Sequence, residues 1–206
     1  MRALVLVDMQ NDFMPFGALP VADGDAVVPV ANRLAVGLGL VVATQDWHPA
    51  DHGSFARSHP GREPGDVITL GGVDQVLWPP HCLQGTPGAS FHSALDIGRI
   101  GHVVRKGTDP GIDSYSGFFD NDRRTATGLE DHLRERAVDE IVIAGLATDY
   151  CVKFTALDGA RLGFRVTVVA DGCRAVELEA GDAERAFTEM QDAGCTIAMS
   201  AEVLAD

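Results

Sequence analysis

EIVIAGLATDYCVKFTALDGARLGFRVTVVA, residues 140–170, sets the pattern for the whole chain. Its two ends, EIVIAG (140–145) and RVTVVA (165–170), are short, apolar and β-branched, as strands buried on both faces are. Asp149 to Leu162 between them fits a helix, so the two strands are joined by a helical crossover and must run parallel. Four more runs of the first kind lie outward along the chain: ALVLV (3–7), LVVAT (40–44), HVVR (102–105) and CTIAM (195–199).

Helical spacing fills most of the intervals. Val27, Val30, Ala31, Leu34 and Leu38 form one apolar stripe, Thr127 to Arg136 fits a further helix, and Ala183, Ala186, Phe187 and Met190 form another stripe that Gly194 stops. Strand and helix in alternation predict an α/β class, a six-stranded and mainly parallel sheet with helices on both faces. Residues 49–101 break the rhythm, being rich in Gly, Pro, His and Ser. A stretch of that kind inside one 206-residue domain reads as pocket wall or lid.

Composition removes several functions. With 46% hydrophobic and 22% charged residues the chain is globular rather than disordered. Sixteen Lys+Arg against 30 Asp+Glu leave a net charge of −14 with no basic cluster, a surface that nucleic acid and anionic membranes repel. The first apolar run ends at Asp8, too short for a signal peptide, and Leu34–Thr44 is too short for a span. The expectation is a soluble, cytoplasmic protein acting on a small molecule. Cys82, Cys151, Cys173 and Cys195 contain no CxxC pair and are expected to stay reduced.

In an open parallel sheet, ligands gather beyond the carboxyl ends of the strands. The polar residues there are Asp8, Asp46, His48, Lys106, Cys151 and Asp171. Singly, each has an ordinary explanation: a cap for Asp8, a solvated strand end for Lys106, a buried apolar thiol for Cys151. Asp171, before Gly172, is assigned to a turn. A carboxylate, an ammonium and a thiol facing one crevice form a nucleophilic site. Cys151 falls in a first helical turn, where backbone amides and the helix dipole favour a thiolate and Lys106 adds positive charge. Asp8 is the proton carrier of such a set.

Asp46 and His48, two apart on an extended end, point the same way. A third ligand from the loop, His81 in WPPHC, completes an O/N/N metal site, with His52 and His59 as alternatives and His52 also as a fourth ligand. Such a set accepts Zn2+, Fe2+ or Mn2+. It also suits a non-haem iron oxygenase, although the order is Asp-x-His and Asp8, Lys106 and Cys151 would then be idle. His92, His102 and His132 read as surface residues.

VDMQNDF (7–13), TQDWHP (44–49), WPPHC (78–82), the lysine of VRKG (104–107) and GLATDYCV (145–152) together resemble the nicotinamidase/pyrazinamidase family of isochorismatase-like cysteine hydrolases. The matches keep the family's order over nearly the whole chain. The resemblance implies a three-layer α/β/α sandwich with Asp8, Lys106 and Cys151 as catalytic triad. It implies Asp46, His48 and His81 as ligands of one divalent metal, zinc first among the candidates. It further implies a cis peptide between Leu146 and Ala147, with the amides of Ala147 and Cys151 as oxyanion hole. Phe13, Trp78 and Tyr115 would wall a pocket for a flat pyridine ring, and Ser54 would orient a metal-bound water. The implied substrate is nicotinamide, with pyrazinamide beside it, in NAD salvage, by a monomer or homodimer. A cysteine amidase for another small amide or carbamoyl compound is the nearest alternative, and a non-catalytic metal protein the most distant. Phe16, in MPFGALPV, stands where the family often has glycine, and Gly159 where alanine is usual.

Overall fold

Six strands make one sheet in the computed structural model, which describes residues 1–205. In chain order the elements are β1 (Arg2–Val7), α1 (Val27–Leu38), β2 (Val41–Asp46), β3 (Val67–Leu70), β4 (Val73–Val76), β5 (His102–Lys106), α2 (Leu129–Arg134), β6 (Glu140–Leu146), α3 (Lys153–Arg161), β7 (Arg165–Arg174), α4 (Asp182–Asp192), β8 (Thr196–Ala198) and α5 (Ser200–Val203). The sheet order is β5-β2-β1-β6-β7-β8, and every pairing within it is parallel. Each of the six apolar runs became one of these strands.

Side chains alternate along the strands as the pleat requires. Leu4, Leu6, Val142 and Ala144 pack with α1 and α5 on one face. Ala3, Val5, Val7, Ile141 and Ile143 pack with α2, α3 and α4 on the other. The result is a three-layer α/β/α sandwich whose central strands are apolar on both sides. Chain order runs outward in one direction from β1 and in the other from β6. The crevice therefore opens beyond the carboxyl ends of β1 and β6, where strand order reverses.

Four differences from the sequence reading have local causes. Residues 49–101 contain an antiparallel hairpin, β3–β4, turned by Gly71 and Gly72 at φ 61° and 89°. Positive φ at both central residues is the hairpin turn that Gly-Gly favours, so VITLGGVDQV carried the signal. Asp171 lies inside β7 rather than in a turn, and its carboxylate accepts the N–H and hydroxyl of Ser200 at 2.7 and 2.6 Å, anchoring α5. The helix expected from Asp149 starts as a π-helical turn over Thr148–Val152, with α3 beginning at Lys153. His92, His102 and His132 are half-buried, and the rings of His102 and His132 stack with centroids 3.8 Å apart. Among the described residues, no helix is long and apolar enough to cross a membrane.

Candidate active site and metal centre

Strand register brings the polar residues of the crevice floor together. Asp46 and Lys106 are direct partners at the ends of β2 and β5. Asp8 follows the β1 end, whose Val7 pairs with Gly145, and Cys151 follows β6 in the π-helical turn. All four are buried. Lys106 Nζ lies 2.9 Å from Asp8 Oδ2, 2.5 Å from Asp46 Oδ1 and 3.3 Å from Cys151 Sγ, and donates to Ser114 O at 2.9 Å.

The electrostatics follow from this burial. Desolvation pushes the Asp8 carboxyl up, and Asp46 adds to the rise while Lys106 and the Thr44 hydroxyl oppose it, leaving it above the usual aspartate value. Burial alone would raise Asp46, but Lys106 and His48 outweigh it and hold that carboxyl well below its usual range. Burial alone would lower Lys106, yet Asp46, Asp8 and Cys151 raise it further, so it stays an ammonium. The Cys151 thiol departs from the sequence expectation. Burial drives it well above an ordinary cysteine, and the pull of Lys106 does not compensate while Asp8 and Asp46 push upward. A thiol raised in this way needs a base to become reactive. Asp8, raised above an ordinary aspartate and held on the same ammonium as Cys151, suits that task.

Beside this floor, Asp46 Oδ2 lies 3.5 Å from His48 Nε2 and 3.8 Å from His81 Nε2. These separations are too long for good hydrogen bonds but suit ligand atoms about 2.0–2.2 Å from one shared ion. The other ring nitrogens are committed: His48 Nδ1 donates to Gly107 O at 2.9 Å and His81 Nδ1 to Pro79 O at 2.8 Å. With each Nδ1 donating, Nε2 is the ring nitrogen that faces Asp46, as in metal-ligating histidines. Gly107, at φ 63°, is required here because a Cβ would lie 2.3 Å from His48 Cε1. The donor set therefore fits a divalent metal.

His52 is buried beside His48, ring centroids 4.5 Å apart. Its Nδ1 accepts the Ser54 N–H at 3.1 Å and lies 2.7 Å from Ser54 Oγ. A backbone N–H can only donate, so Nδ1 is unprotonated and the ring proton sits on Nε2, which is buried with no hydrogen-bond partner among the described residues. Burial and His48 hold this imidazole below the usual histidine value, hence neutral. His59 is elsewhere, its Nε2 on Gly53 O at 2.7 Å.

A small cavity of about 30 Å³ joins the two clusters, walled by Phe13, Trp78 and Tyr115 and also by Leu19, Tyr150, Val176 and Asp113. Tyr115 Oη accepts from Trp78 Nε1 at 3.1 Å and from Gln75 Nε2 at 2.7 Å, and Gln75 also reaches Asp113 Oδ2 at 3.0 Å. Gln75, Asp113 and Tyr150 were not singled out in the sequence. Only the position of Tyr150 beside Cys151 offered a cue. Gln10 was missed as well: its amide donates to Asp46 O at 2.8 Å and accepts the Asp46 N–H at 2.8 Å, fastening the metal-site strand end. The Leu146–Ala147 peptide is cis and sits immediately before the Cys151 turn.

Comparison with known proteins supplies a family and relatives of known activity. The isochorismatase domain family model matches residues 2–202. The chain is 52% identical to the nicotinamidase of Escherichia coli (strain K12) over 95% of this chain and 93% of that one. An Acinetobacter baumanii nicotinamidase/pyrazinamidase structure superposes with a TM-score of 0.95 at 46% identity, covering 98% of this chain and 97% of the other. A pyrazinamidase of Pyrococcus horikoshii in complex with zinc superposes with a TM-score of 0.77 at 38% identity, covering 96% and 98%.

Proposed function

Because this chain belongs to the isochorismatase domain family, we propose that it hydrolyses nicotinamide to nicotinate and ammonia through a thioester on Cys151. The observation that carries the reading is the single buried ammonium of Lys106, which touches the carboxylate of Asp8, the carboxylate of Asp46 and the sulfur of Cys151. It joins the nucleophilic cluster to the metal-ligating one.

Asp8 takes the Cys151 proton as sulfur attacks the carboxamide carbon, with the Ala147 and Cys151 amides assigned to the developing oxyanion. Collapse breaks the C–N bond, and the amine leaves as ammonia with the proton from Asp8. Water then gives a proton to Asp8 and attacks the thioester, the C–S bond breaks, and the returning proton restores the thiol. Lys106 keeps its charge throughout, holding Asp8 ionised when it must accept.

Asp46, His48 and His81 would hold a divalent ion, zinc by the analogy of the zinc-bound relative. Once bound, such an ion supplies a Lewis-acidic anchor for the pyridine nitrogen, which orients the carboxamide toward Cys151. His52, with Ser54 on its Nδ1 and its Nε2 proton free, would serve as a hydrogen-bond donor beside the site rather than as a ligand. Phe13, Trp78 and Tyr115 are assigned to the ring pocket.

Ammonia release from nicotinamide by the purified protein, before and after a chelator, tests this reading. Release should fall with chelation and return with added metal. No release under any metal would move the substrate to another small amide.

A further inference from the structure

The mechanism uses Asp8 but does not explain what aims it. A carboxylate has two oxygens, and proton transfer in this crevice needs a particular one to face the sulfur. Lys106 alone is not enough to choose it. Its three N–H bonds are shared among four partners, Asp8, Asp46, Ser114 O and Cys151. The Asp8 backbone gives no ordinary support either, since it lies in the left-handed region at φ 47°, unusual for a residue other than glycine.

Thr44, inside β2 and wholly buried, contacts both parts of Asp8. Its hydroxyl donates to Asp8 Oδ1 at 2.6 Å and accepts the Asp8 backbone N–H at 3.3 Å. One hydroxyl thereby fixes the main chain and the carboxylate plane together. With Oδ1 engaged, Oδ2 is the oxygen turned to Lys106, and it is a buried oxygen with no properly aligned hydrogen bond among the described residues.

We propose that Thr44 is a positioning residue for this reaction: it engages Oδ1 of Asp8, so that Oδ2 is the oxygen that takes the Cys151 proton and delivers it to the leaving group. The proposal rests on the reading of Asp8 as proton carrier given above. It predicts that the hydroxyl, not the methyl, of Thr44 matters, and that it matters for turnover rather than for substrate binding.

The test compares Thr44→Val, Thr44→Ala and Thr44→Ser in the metal-loaded enzyme. The Val and Ala variants should lose kcat for nicotinamide by about ten- to a hundredfold, the scale of a lost hydrogen bond to a charged group, with KM changed by less than about threefold. The Ser variant should stay within about threefold of the parent in both. Alkylation of Cys151 by iodoacetamide without substrate, located by peptide mass mapping, should slow in the same two variants and not in Ser, because it reads base-assisted thiol reactivity directly. Ala and Ser differ only in the hydroxyl, so this pair decides the matter if Val fails to fold. Equal losses in Ser and Ala, unchanged rates in Val, or a change confined to KM would each overturn the proposal. If the parent enzyme releases no ammonia from nicotinamide, the proposed substrate fails, while the alkylation comparison still scores Thr44.

Discussion

The floor of the crevice and its rim are held in place by different means. Asp8, Asp46, Lys106 and Cys151 stand at or just beyond the ends of four strands, and register fixes their separation: Asp46 faces Lys106, and Val7 faces Gly145. His81 and Tyr115 stand on loop segments outside the strands, and Trp78 is tied only by an isolated bridge to Phe55. They are positioned by hydrogen bonds such as His81 Nδ1 to Pro79 O and Gln75 Nε2 to Tyr115 Oη. A parallel sheet converts position in sequence into position in space by a simple rule, whereas a hydrogen-bonded loop does so only through its particular partners.

The largest expected effect belongs to the floor. Cys151→Ala should lower ammonia release by on the order of 10⁴-fold or more while the protein keeps its metal, measured by metal analysis of the purified variant. Hydrolysis retained in that variant would mean that a metal-bound water makes the attack, and the metal cluster rather than the strand-end triad would be the reacting centre.

The acid side of the pH profile comes next. Burial raises Asp8 above its usual value of 3.8. Asp8 must be ionised to accept the thiol proton, so kcat/KM should fall as pH drops through this raised pKa, about tenfold per unit below it. Lys106 is held well above 10.5, so its deprotonation should not shape the alkaline side below that pH. An activity that stays level down to the ordinary aspartate range would remove Asp8 from the role of base.

How much of this was legible in the sequence follows the same division. Six apolar runs yielded six strands, and the polar residues at their ends yielded the floor, because burial on both faces leaves a plain signature. His81 was one of three loop histidines that could complete the ligand set, and Phe13, Trp78 and Tyr115 were reachable only through the family motifs, since nothing in local spacing says which loop residue turns inward. Gln75 and Asp113 escaped altogether: their role is to hold one another and Tyr115, across 38 and 40 positions of chain. Thr44 escaped for the opposite reason. A β-branched residue inside an apolar run needs no further explanation as a strand former.

A matched pair of substitutions sharpens the contrast. Gly107→Ala places a methyl against the His48 ring, on the floor side, and should weaken metal affinity by about 10–100-fold, read by competition with a chelator. Gln75→Leu, on the rim side, removes the donor shared by Asp113 and Tyr115. It should raise KM for nicotinamide by roughly tenfold while metal affinity holds, because a hydrogen bond to a charged group is lost away from the ligands. Metal loss in the Gln75 variant would show that rim and floor are one cooperative unit.

The smallest effect is expected at the outermost rim, where Phe16 adopts φ 71° with its side chain fully exposed. A side chain in the left-handed region costs about 1–2 kcal/mol, and glycine relieves it while giving back about 0.4–1 kcal/mol in unfolded-chain entropy. Phe16→Gly should therefore stabilise the fold by about 0.5–1 kcal/mol, a rise in Tm of about 1–4 °C by calorimetry. Activity should be unchanged, since Phe13 and Leu19 of the same loop, not Phe16, wall the cavity. If KM shifts instead, the aromatic ring reaches the substrate from the lip. The rim would then extend beyond the residues whose hydrogen bonds define it, and loop sequence at this position would set substrate preference.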